Sequence, residues 1–89
     1  MWCVTGVADS DDRKYVGVVG PRTATLTADE MAVHPERVAW RVLDEWNGEP
    51  QAWGWRVGGD EFDPIDHFCE GNWGYTYLQE LTNGVWKHV

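Results

Sequence analysis

His67 and Cys69 lie two residues apart, the first place to look for nucleophilic chemistry. On a short helix, side chains so spaced point apart. The neighbouring acids would also raise a thiol pKa, whereas a cysteine nucleophile needs it lowered. Ser10 is the only serine and sits in an acidic turn, so a Ser–His–Asp site has no support. Phosphate-binding loops, dinucleotide fingerprints, His-Glu-x-x-His and Gly-x-Ser-x-Gly are all missing. The expectation is a protein that is not an enzyme.

Metal ligation is the next chemistry to weigh. Asp63, Asp66, His67, Cys69 and Glu70 crowd into eight residues, with His67 four after Asp63 and three before Glu70. A mononuclear site needs three or four convergent ligands. His34 or His88 would have to join from elsewhere, and the spacing is equally that of a solvated acidic helix. The expectation is no metal and no cofactor.

Trp53 and Trp55 suggest a different use. Indoles stack on the apolar faces of sugars while carboxylates accept hydroxyl hydrogen bonds. The same pair also fits a core role, covering a helix. A small sugar- or cation-binding module, centred on Trp53/Trp55 or on Asp63–Glu70, is therefore the alternative reading.

The leading reading comes from where the acids fall. The chain has 89 residues and a formal charge of −8, from 15 acids and 7 bases. Such a balance disfavours direct contact with nucleic acid or an anionic membrane, since both need Lys and Arg to displace counterions. It favours a basic protein partner. The acids form three clusters: Asp9/Asp11/Asp12, then Asp44/Glu45/Glu49, then Asp60, Glu61, Asp63, Asp66 and Glu70. Trp46 and Phe62 stand beside the last two. A negative surface studded with aromatics suits a nucleic-acid-handling partner. It mimics phosphate charge, and the aromatics serve as anchors. The expected docking face is Asp44, Glu45, Trp46, Glu49, Asp60, Glu61, Phe62, Asp63, Asp66 and Glu70.

The elements that must carry these residues read as follows. Trp2 to Ala8 is apolar and β-branched, a strand; Asp9 to Asp12 is a turn; Lys14 to Val19 reads as a second strand closing a hairpin, ended by Gly20-Pro21. Thr23 to Thr27 suggests a further short strand. Thr27 and Glu30 have capping-box spacing, with a short turn through Val33. Pro35 opens the main helix, 35–46, with Ala39, Val42, Leu43 and Trp46 on one stripe and Asn47-Gly48 as its stop. On that helix Asp44 and Glu45 would oppose the dipole, a local cost that often marks function. Ala52 to Val57 alternates as a strand. Asp63-Pro64 opens a short acidic helix, 63–70, closed by Gly71. Residues 73–81 and Val85-Trp86 flank Asn83-Gly84, the strongest short hairpin signal.

Together these predict one α+β domain over residues 1–89, an antiparallel sheet of four to five strands packed against the main helix. A domain this small buries roughly 60–65% of the surface its unfolded chain exposes. Seven tryptophans cannot all be buried in it, so some must face solvent. Two cysteines are too few for a disulfide scaffold, and no stretch has the composition of a signal peptide or the length of a membrane span. A cytoplasmic protein with free thiols is expected. Oligomeric state is left open.

No family motif is present. In composition (short, acidic, aromatic-rich, motif-poor) the chain resembles the small host-takeover and defence-inhibitor proteins that phages encode, anti-restriction and anti-CRISPR proteins among them. That resemblance implies an inhibitory role and assigns no residue.

Overall fold

The computed structural model describes residues 1–58 and 76–89. The expected helix 63–70, and Asp60, Glu61, Phe62, Asp63, Asp66 and Glu70 with it, lie outside the described residues.

Six strands form one antiparallel sheet: β1 (Trp2–Val7), β2 (Val19–Gly20), β3 (Val38–Asp44), β4 (Pro50–Arg56), β5 (Thr76–Thr82) and β6 (Val85–His88). Their spatial order is β2-β1-β4-β3-β5-β6. One short helix, α1 (Ala28–Ala32), and a 3₁₀ turn at Ser10–Tyr15 complete the regular elements among the described residues.

The largest departure from expectation is at residues 35–46. They form the central strand β3, not a helix. Period-2 alternation places Trp40 and Val42 on one face and Ala39, Arg41 and Leu43 on the other. Trp40 and Val42 are buried on one face and Leu43 on the other, so β3 is covered on both sides. Asn47-Gly48 is a hairpin turn rather than a helix stop. Gly48 takes φ +70° there, a conformation that costs glycine little. The protein is thus mostly β, with a larger sheet than expected and no main helix among the described residues.

The N-terminal hairpin also differs. Lys14-Tyr15 ends the 3₁₀ turn instead of starting a strand, and only Val19–Gly20 pairs with β1. Asp9 causes this by capping the turn, its carboxylate accepting from the Asp11 N–H at 2.9 Å. Gly17, at φ +89°, then redirects the chain. Residues 23–26 are irregular and form no strand. The capping box is present as expected: Thr27 Oγ1 accepts from Glu30 N at 3.2 Å, and Glu30 Oε1 accepts from Thr27 N at 3.1 Å. The Asn83-Gly84 turn joins β5 to β6, both residues at positive φ, as a type I′ hairpin requires.

Two apolar clusters hold the sheet. On one face Trp2, Val4, Trp40, Val42 and Ala52 pack together, with the Trp2 and Trp40 rings edge-to-face at 6.3 Å. On the other, α1 presses Met31 onto Cys3 and Val57 at the end of the sheet where β4 finishes. Because α1 is only five residues long, it covers a fraction of that second face. No helix among the described residues is long and apolar enough to cross a membrane.

Candidate functional site

The β3–β4 turn brings Asp44, Glu45, Trp46 and Glu49 together as the sequence suggested, for a different reason. Asp44 ends a strand, so no helix dipole opposes it. Its carboxylate instead braces the turn, Oδ1 accepting from Trp46 N at 2.7 Å and Asn47 N at 3.2 Å. Asn47 Oδ1 then accepts from Glu49 N at 2.9 Å. Backbone bonds from Asp44 N to Glu49 O and from Gly48 N to Asp44 O close the loop. Local side-chain acceptors of this kind let Asp and Asn replace a ladder at a turn. The result is a fixed platform from which Trp46 projects, 84% exposed.

A second acidic cluster joins it. Val7 of β1 lies opposite Ala52 of β4, and Ala8 N donates to Gln51 O. Asp9, Asp11 and Asp12 therefore emerge at the same end of the sheet as Glu49. That end carries six carboxylates against two bases, Arg13 and Lys14. The other described residues carry four acids and five bases. Two of the three acidic clusters thus share an end; the third lies outside the described residues.

The face opposite the main cluster holds a second feature, which the sequence showed only in part. Beyond α1, an open groove of about 340 Å³ is lined by Thr5, Ala39, Arg41, Trp53, Trp55 and Trp86, with Pro50 and the backbone of Trp40 and Gly54. The register builds it. Arg41 stands opposite Trp53 on β4 and Gln79 on β5; Ala39 stands opposite Trp55. Ala39 has the smallest side chain on this face of β3, so it makes a low floor. Trp53 and Trp55 form one wall. Trp86 reaches inward from β6 to the Arg41 guanidinium, whose Cζ lies 4.1 Å from the ring centroid. Arg41 Nε donates to Gln79 Oε1 at 2.9 Å. Arg37 stacks on Trp55 at 5.0 Å.

The Trp53/Trp55 pair is divided by burial. Trp55 is half-buried and packs toward Met31 and Cys3, while Trp53 remains exposed. No local sequence signal brings Trp86, Arg41 and Ala39 into this setting, because their meeting depends on the pairing of β3 through β6. A helix over 35–46 with Ala39, Val42, Leu43 and Trp46 on its stripe leaves Arg41 off that stripe.

Cys3 is a free thiol, fully buried under α1. Burial pushes its pKa up, partly offset by a backbone hydrogen bond from Trp55. Among the described residues no group of His, Cys, Asp and Glu is arranged to hold a metal. Comparison with known proteins returns no matching family model, no matching curated sequence and no matching solved structure, so the site stands on its own geometry.

Proposed function

We propose that this chain is a non-enzymatic interaction protein that docks its acidic end onto a basic, nucleic-acid-handling protein and inhibits it. The observation that carries this reading is Trp46. Leaving an indole 84% exposed is unfavourable for a lone domain, and here the Asp44 carboxylate fixes the Trp46 backbone N–H while Asn47 Oδ1 braces the same turn. Tryptophan is enriched among residues that dominate binding energy, and a rigid turn reduces the ordering cost of docking. Six carboxylates at the same end supply the field that attracts a basic surface and raises the encounter rate. Asp60, Glu61, Phe62, Asp63, Asp66 and Glu70 belong to the same proposed face on sequence grounds alone.

The test is affinity for the captured partner as a function of salt, with Trp46→Ala and the Glu45→Gln/Glu49→Gln pair as variants. Binding should weaken steeply with salt, and Trp46→Ala should lower affinity by about 2 kcal/mol or more, roughly thirtyfold. Binding that ignores salt and survives Trp46→Ala would refute the reading.

The groove favours a second reading, a small module that binds sugars between Trp53, Trp55 and Trp86. A tryptophan-fluorescence titration with neutral oligosaccharides addresses it, and a flat response would sink it.

A further inference from the structure

We infer that the Trp53–Trp86 groove is a site for a carboxylated sugar, a uronate, whose carboxylate is held by Arg41. The inference rests on the sugar-binding reading of the groove and adds a ligand charge and a recognition residue to it.

The first observation is charge. The protein has 15 acids and 7 bases, yet the described residues lining this groove include no acid and one base, Arg41. Arg37 adds a second guanidinium at the Trp55 end. Among the described residues, the groove thus meets an anion with guanidinium rather than carboxylate side chains.

The second observation is the state of Arg41. Its guanidinium plane is fixed by the Trp86 ring and by the Nε bond to Gln79. Among the described residues no carboxylate pairs with it, and its two Nη atoms donate to no protein acceptor. Arg56 makes the contrast, since it is paired with Glu80. An arginine held flat, with its outer N–H edge open, presents the fork that matches a carboxylate in two parallel hydrogen bonds.

The third observation is shape. The groove is open along its length and walled by indoles over an Ala39 floor. An enclosed cavity would suit a small aromatic acid. An open aromatic cleft suits a hydroxylated chain, which stacks its C–H faces on the rings and keeps its hydroxyls in water. At about 340 Å³ the cleft lies at the lower end of the usual range for small-molecule sites and has room for few sugar units.

The test titrates the full chain with trigalacturonate and with its methyl ester, which has the same rings without the charge. Tryptophan fluorescence and calorimetry at pH 7 read both. The acid should bind at least tenfold more tightly than the ester. Arg41→Gln should remove that difference while leaving ester binding in place. Arg41→Lys keeps the charge but loses the fork, and should remove most of the preference. Gly6→Ala is an independent check on the wall: a Cβ there would strike the Trp53 indole, so both ligands should weaken together. Ester binding equal to acid binding would overturn the inference and leave the sugar reading intact. No binding of either would overturn both. Competition by inorganic sulfate or benzoate as effective as trigalacturonate would overturn the assignment to a sugar.

Discussion

Gly54→Ala tests the register on which the groove and core both depend. Gly54 is paired with Val4 on β1 and Trp40 on β3. A Cβ at this position would drive into the carbonyl of Cys3 and come 2.9 Å from Cζ2 of Trp40. Neither neighbour can retreat. The carbonyl is backbone in a central ladder, and Trp40 is fully buried with its Nε1 donating to Trp55 O at 3.0 Å. Alanine gains roughly 0.5–1 kcal/mol over glycine in a strand interior. Overpacking of a tight core costs about 1–3 kcal/mol, occasionally more. Because the displaced group is backbone, the upper end applies, and the net loss is about 2 kcal/mol or more. For a domain of this size each kcal/mol moves the melting midpoint by about 4–8 °C, so Gly54→Ala should melt roughly 8–16 °C lower. In urea the same loss shifts the midpoint down by about 1–2 M, taking a slope of about 1–2 kcal/mol/M. Gly48→Ala is the control. It meets nothing within 4 Å, and its φ of +70° alone should cost about 1–2 kcal/mol. Gly54→Ala as stable as the parent protein would refute the Val4–Gly54–Trp40 alignment.

Three further outcomes are expected. Thr27→Ala removes one half of the capping box and should destabilise by about 1 kcal/mol in a urea melt, whereas Thr27→Ser should restore most of it. Asp44→Ala leaves two turn N–H groups without their acceptor and should cost about 1–2 kcal/mol, whereas Trp46→Ala should stay within about 0.5 kcal/mol of the parent. The Cys3 thiol titrates above its ordinary value of 9.0 in the fold, so above that pH the unfolded chain loses this proton first. The contribution is fully present below pH 9 and declines as pH rises toward the folded pKa; Cys3→Ala should show a shallower fall in stability over that alkaline range.

Three stretches were legible because each has one dominant signal. Trp2 to Val7 is β-rich, Pro50 to Arg56 alternates, and Asn83-Gly84 marks its hairpin. Residues 38–44 misled because a strand buried on both faces loses its alternation. Trp40 and Val42 are buried on one face and Leu43 on the other, so the apolar positions also satisfy a helical stripe. Asn47-Gly48 carried the same turn chemistry as Asn83-Gly84, and a helix stop uses the same residues. Of the candidate site, the Asp44–Glu49 cluster was visible as composition. Its rigidity was not, since that depends on which backbone N–H groups the Asp44 carboxylate meets. The groove needs five paired strands, β1, β4, β3, β5 and β6, to exist, and no local window contains it.

The strand order has a consequence for how the protein is made. The hairpins β3–β4 and β5–β6 join neighbours in sequence, so each can close as soon as its residues are available. β1 does so only in part. Nearby in sequence it has just the two-residue β2 to pair with; its main partner is β4, and Trp2 lies opposite Arg56, so its longer ladder forms only once residues 50–56 are in place. Until then Trp2, Cys3 and Val4, which end fully covered, are open to wrong partners. Closing so long a loop is entropically expensive and slows folding, placing this sheet with the millisecond-to-second folders despite its small size. Docking of β1 onto β4 is therefore the late step, and it is also the step that completes the Thr5–Trp53 side of the groove. A chain stalled before it would present the acidic β3–β4 turn but no finished cleft.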